Sequence, residues 1–216
     1  MTEAEWRTLE SPMRMLVYMN QQMAPSDRKI RLFCCACLRR VWFRLGTRNG
    51  ARGLVEFAEA YVDVHRTDNE RAEAESAGDR LTRSMKAYPK ETALRAVTRT
   101  LNAEVNVYST CWSVAVETGL ASKHGRKSEG VAQAEFVRDI FGNPFRPVAF
   151  HPRWRTADVL GLARGIYDER AFDRLPLLAD ALMDAGRDSD DVLSHCRSDG
   201  PHVRGCWVVD LVLGKE

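Results

Sequence analysis

The residues best equipped for chemistry lie near the C-terminus, in Ser189-Asp-Asp-Val-Leu-Ser-His195-Cys196-Arg-Ser-Asp-Gly-Pro-His202-Val-Arg-Gly-Cys206-Trp207, where two His-and-Cys pairs flank a Gly200-Pro201 break. Imidazole and thiolate are the donors zinc prefers. It takes four of them in a tetrahedron, often from pairs two to four residues apart. A helix over His202–Leu213, opened by Pro201, would place His202 and Cys206 one turn apart on the same face. Cys34 and Cys37 offer a second close pair in an apolar run. The candidate metal or thiol cluster is therefore Cys34, Cys37, His195, Cys196, His202 and Cys206. Its spacing matches no zinc-finger pattern, and the thiols of 34–37 sit among Leu32, Phe33 and Leu38. Buried cysteines behave as small hydrophobes, so packed thiols are the expectation, no cofactor is expected, and zinc is the alternative.

Two other chemistries compete. Cys206 with His202 as base, oriented by Asp199 or Asp210, sketches a nucleophilic thiol. A thiol beside Trp207 on an inward helical stripe with no cationic neighbour would be inert, however, so no catalytic residue is assigned and an enzyme is not expected. Asp210, alone among apolar side chains in Trp207–Leu213, must be paired if buried, with Arg204 or an arginine of 28–44 as partner. Polyanion binding is the third chemistry. From Asp27 to Arg52 there are eight basic residues against one acidic, and Arg39, Arg40, Arg44 and Arg48 form a candidate basic patch around Trp42 and Phe43. A net charge of only +2, with ten acidic residues against five basic over 158–199, argues that this charge is balanced internally by the acidic C-terminal third. No phosphate-cradling glycine loop, helix-turn-helix or RNA-binding signature is present.

The elements that must position these residues read as helical throughout. Thr2 with Glu5, and Thr67 with Glu70, form capping-box patterns, and Ser11-Pro12 and Ser26 mark two further helix starts. Ile30, Phe33, Cys34, Cys37, Val41 and Leu45 recur at three- and four-residue steps, as a buried helical face requires. Asn49-Gly50 marks a turn ahead of a helix over about 53–64 with Val64 inward, and 71–87 reads as an exposed helix. Residues 91–120 read as one or two helices with Leu94, Val97, Leu101, Val105, Tyr108, Trp112 and Ala115 on one stripe. Ser122–Ser128 reads as a flexible basic loop, followed by a helix from Glu129 that ends at Gly142. Three prolines in 144–152 forbid a helix there, so Phe145, Arg146, Phe150 and Trp154 become the candidate contact surface. Thr156, Asp173 and Ser189 start further helices. The expectation is one all-α domain over 1–216 with nine or ten helices and a possible sub-boundary at 142–155. The six cysteines make a poor disulfide framework, no signal peptide precedes them, and no apolar run nears the roughly 18 residues of a membrane span. A cytoplasmic protein with reduced thiols follows.

Four stretches also resemble one uncharacterised family of bacterial proteins found as many paralogues in planctomycetes. They are Ser26-Asp-Arg-Lys-Ile-Arg-Leu-Phe, Arg138-Asp-Ile-Phe-Gly-Asn-Pro-Phe-Arg-Pro, Tyr167-Asp-Glu-Arg-Ala-Phe-Asp-Arg-Leu-Pro-Leu-Leu-Ala-Asp-Ala-Leu and Gly200-Pro-His-Val-Arg-Gly-Cys-Trp-Val-Val-Asp-Leu-Val-Leu-Gly-Lys. The resemblance covers most of the chain and implies no activity. Family members tend to carry Cys-Ala-Cys-Cys where this chain has Cys35-Ala36-Cys37-Leu38, and a cysteine where it has Arg187. Both departures weigh against obligatory metal ligands at those positions. The functional expectation is a non-enzymatic interaction or regulatory module whose partner is another protein and not a membrane. The alternatives are a small zinc-binding or thiol-dependent enzyme using the C-terminal cluster, and polyanion or nucleic-acid binding through Arg28–Arg52.

Overall fold

The computed structural model describes residues 1–46, 50–63, 67–85, 88–186 and 189–215, and every regular element among them is helical. Arg48 of the basic patch, the Asn49 turn, Val64 and Arg187 lie outside the described residues. Among the described residues there are twelve α-helices, against the nine or ten expected. They are α1 (Glu3–Thr8), α2 (Pro12–Met23), α3 (Asp27–Arg40), α4 (Ala51–Tyr61), α5 (Asp68–Ser84), α6 (Lys90–Thr100), α7 (Trp112–Ala121), α8 (Gly125–Phe141), α9 (Ala157–Glu169), α10 (Leu175–Asp184), α11 (Asp190–Cys196) and α12 (Trp207–Leu213). The chain divides into two compact units, Met1–Val137 and Arg138–Glu216, and the division falls inside α8, just ahead of the proline-rich stretch.

Local signals explain most helix starts. Thr2 and Thr67 each accept a hydrogen bond from the amide three residues on, and the Glu5 and Glu70 carboxylates each accept one from the cap N–H, so both capping boxes form. The hydroxyls of Ser26 and Thr156 cap α3 and α9.

In the first unit α3 is the central element, buried from Ile30 through Leu38 and packed by α4, α6 and α7. α5 shows only Arg71, Ala74 and Gly78 to the interior. Gly78 is required there, because a Cβ would come within 2.8 Å of the Thr98 hydroxyl on α6. The single stripe expected across 91–120 does not form. α6 stops at Thr100, where the buried Arg31 guanidinium donates to the carbonyls of Thr100, Asn102 and Ala103 at 2.6, 2.7 and 3.0 Å. A π turn at Val107–Cys111 then re-phases the chain before α7, leaving Tyr108 and Trp112 exposed rather than inward. The basic run expected as a flexible loop is instead partly helical, since α8 begins at Gly125.

Three arginines of the basic block find partners within the first unit, where the acidic C-terminal third was the expected partner. Arg39 grips the buried Glu59 through two 2.6 Å bonds, Arg40 meets the buried Glu129 at 2.7 Å, and Arg44 donates to the Ala121 carbonyl at 2.9 Å. All these partners belong to the first unit.

The second unit packs α9, α10, α11 and α12 around Val159, Ile166, Tyr167, Leu178, Leu182, Val192, Val208, Val209 and Val212. Its last helix starts at Trp207, not His202, because residues 201–206 are non-helical and Gly205 adopts φ +95°. The buried face is therefore Val208, Val209, Asp210 and Val212, and Trp207 is only partly buried.

A candidate metal centre in the second unit

Three junctions bring the chemistry together. Asp139 lies in the last turn of α8, which ends at Gly142 with φ +70°. Glycine is favoured there on two counts: the left-handed backbone disfavours a side chain, and a Cβ would lie 3.2 Å from the Trp207 ring. His195 occupies the last turn of α11. Gly200, at φ +66°, turns the chain after α11 so that His202 doubles back toward that helix. Cys206 is the N-cap residue of α12.

The donor atoms of Asp139, His195, His202 and Cys206 all lie within 4.8 Å of one another. His202 Nδ1 is 2.7 Å from Asp139 Oδ1, and His195 Nε2 is 3.2 Å from both Asp139 Oδ1 and Cys206 Sγ. The group is enclosed: the side chains of Asp139, His202 and His195 are 4%, 8% and 16% exposed, and Cys206 is fully buried. Surrounding polar groups orient each donor. The Val203 N–H donates to Asp139 Oδ2 at 2.8 Å, leaving Oδ1 directed at the histidines. His202 Nε2 faces the Ser198 carbonyl at 3.3 Å. The backbone amides of Val208 and Val209, at the start of α12, work to lower the Cys206 thiol, against the larger effects of burial and Asp139. The His195 ring is covered by Trp207, centroids 5.2 Å apart, and meets His202 edge-on at 4.9 Å.

The electrostatics follow from enclosure. Burial works to raise the Asp139 pKa, but hydrogen bonds from His195 and His202 outweigh it and hold the carboxyl below its ordinary value. Burial pulls His202 down, and the Asp139 carboxylate more than reverses that, leaving the imidazole raised. Burial, reinforced by Asp139, pushes the Cys206 thiol well above its ordinary value.

Of the six candidate residues, His195, His202 and Cys206 come together. Cys34 and Cys37 are buried in α3 of the first unit, where Cys34 contacts Cys111 and Thr100. Cys196, next to His195, turns instead into the apolar core, and burial raises its thiol to about 12. These three are packed thiols, the expectation for the whole set. His202 and Cys206 do meet, though through a non-helical turn rather than one helix face. Asp139 was missed. A signal for it existed: a carboxylate in the last turn of a helix opposes the helix dipole and calls for a compensating partner. The candidate contact surface packs against the second unit's own core. Phe150 packs on the core and meets Trp154 edge-on at 5.4 Å, Phe145 and Trp154 are partly buried, and the exposed Arg146 reaches Asp191 at 3.6 Å.

Comparison of the chain with protein-family models, with curated proteins and with solved structures found no match in any of the three.

Proposed function

We propose that this chain is a non-enzymatic helical module whose second unit is built around a structural zinc ion, ligated by Asp139 Oδ1, His195 Nε2, His202 Nδ1 and Cys206 Sγ. One observation carries the reading: four donors of zinc-binding type, all within 4.8 Å, in an enclosed site. Zinc bonds of about 2.0–2.3 Å in a tetrahedron require donor separations of roughly 3.3–3.8 Å. The donors here span 2.7 Å to at most 4.8 Å, so small side-chain rotations reach that geometry.

The outer contacts support a metal over a plain hydrogen-bond cluster. Ligating histidines pass their other N–H to a carbonyl, and ligating carboxylates are themselves hydrogen-bonded; His202 with Ser198 and Asp139 with Val203 have those arrangements. Four protein ligands would leave no open position for a reacting water, which is the pattern of a structural rather than a catalytic site.

A thiol enzyme is the weaker reading for a geometric reason. In a Cys-His-Asp relay the base takes the thiol proton on one ring nitrogen and the carboxylate holds the other. Here His195 offers Nε2 to Cys206 and Asp139 alike.

Elemental analysis of the protein as purified, with cobalt substitution followed by absorption spectroscopy, tests the proposal. Stoichiometric zinc and a tetrahedral cobalt–thiolate spectrum lost in Cys206→Ala are the expected results. Protein that carries no zinc and takes up none when the metal-free form is titrated overturns it.

A further inference from the structure

We infer that the first unit carries a separate binding surface for single-stranded nucleic acid, formed by the 3-10 turn Trp42–Arg44 and the start of α8. The inference stands on different residues from the zinc centre and does not rest on it.

Three features of this surface work together. First, Phe43 leaves a large aromatic ring 45% exposed at the tip of the turn. Cations flank it, with the Arg44 guanidinium carbon 4.6 Å and the Lys123 ammonium 5.6 Å from the ring centroid. Second, the turn is held rigidly. Arg52 donates to the carbonyls of Leu45 and Trp42 at 2.9 and 3.1 Å, and its guanidinium and that of Arg39 lie 5.2 and 4.6 Å from the Trp42 ring. Arg44 Nε, bonded to the Ala121 carbonyl, ties the turn to the end of α7 and so to Lys123. Third, Lys123, His124, Arg126 and Lys127 are all exposed, and the first turn of α8 contains no acidic residue. The first acid along that helix, Glu129, is buried against Arg40.

Cations at a helix N-terminus oppose the helix dipole, so this run is not there to stabilise α8. Arg39 and Arg40 are occupied by buried carboxylates, which moves the polyanion surface from the expected arginine ridge to Lys123, Arg126 and Lys127. Basic groups beside a rigid exposed ring suit a phosphate backbone whose unpaired bases can reach that ring. A duplex keeps its bases stacked inside and offers the ring nothing, so the commitment is to single strands.

Fluorescence anisotropy with a labelled oligothymidylate of about twenty nucleotides, at low and at physiological salt, tests this. The expected result is binding that weakens steeply with salt. Lys123→Glu combined with Lys127→Glu should weaken it at least about tenfold and reduce the logarithmic salt slope by about 1.4, as loss of two phosphate contacts on a single strand requires. Phe43→Ala should weaken the single strand several-fold, leave heparin binding unchanged, and leave melting unchanged, since the ring is half in solvent. Three results overturn the inference: no binding at low salt, no effect of the charge reversals, or heparin and oligonucleotide losing equally in Phe43→Ala, which would mark a surface that reads charge alone. Zinc content is measured in the same samples, so failure here is separable from failure of the metal centre.

Discussion

His195 directs a single ring nitrogen at two partners: Nε2 lies 3.2 Å from Cys206 Sγ and 3.2 Å from Asp139 Oδ1. A proton relay needs those partners on opposite sides of the imidazole, whereas a metal ion needs donors converging on one point. With zinc bound as proposed, that convergence would clamp the end of α8, the end of α11 and the start of α12 together.

Removing zinc should destabilise the protein. A ligand present at about a hundred times its Kd adds about 2.7 kcal/mol to the folded state. For a chain of this size that corresponds to roughly 5–10 °C in Tm. Thermal melts with and without a strong chelator measure it; coincident curves would remove the clamp.

Zinc affinity should rise with pH. Burial and the Asp139 carboxylate hold the Cys206 thiol well above its ordinary value, so it is protonated in the metal-free protein at neutral pH. The raised His202 must also shed a proton to ligate. Each displaced proton tightens binding about tenfold per pH unit. Competition titrations at pH 6 and pH 8 should show tightening of at least about a hundredfold for one proton displaced throughout.

The metal-free protein should show the opposite trend. Its His202 pKa is raised in the folded state, so the contribution of His202 is complete below the ordinary imidazole value of 6.5 and is lost as pH rises through the folded value. Asp139 is depressed, so its contribution is present above the ordinary 3.8 and is lost as pH falls through the folded value. Urea midpoints of the metal-free protein should thus be highest between those limits and fall on both sides.

Trp207→Ala should cost about 2–3 kcal/mol, less than the 3–5 typical of a fully buried tryptophan, because this ring is only partly buried against Gly142 and His195. Gly142→Ala should cost about 1–2 kcal/mol through its left-handed backbone, plus crowding against the same ring. In the double variant the crowding disappears, so the costs should sum to less than the two single losses. Denaturant unfolding of the three variants measures the coupling.

Arg39→Glu should lower stability by about 2–3 kcal/mol. It leaves the Glu59 carboxylate, 2% exposed, facing a like charge, while the partial exposure of Arg39 keeps the loss below that of a fully buried pair. Lys123→Glu, on an exposed side chain, should leave the urea midpoint within experimental error. If Arg39→Glu is equally silent, the internal neutralisation of the basic block fails.

The all-helical class was legible from the sequence because its causes are local. Thr2 with Glu5 and Thr67 with Glu70 cap within one turn, Gly142 and Gly214 supply the left-handed stops, and the period of Ile30, Phe33, Cys34 and Cys37 fixes the buried face of α3. The same local rules could mark His195, His202 and Cys206 as candidate donors of the type zinc takes. They could not say which thiols join them. Cys196 and His195 are adjacent in sequence yet diverge, one into the apolar core and the other toward Cys206, because successive helical residues point about 100° apart. Asp139 joins from 63 residues away, and only the packing of α8 against the turn at Val203 brings it there. The destination of the arginines was equally hidden. A sequence shows how much charge must be balanced, whereas the pairing of Arg39 with Glu59 and Arg40 with Glu129 is decided by which helices meet and which carboxylates they bury.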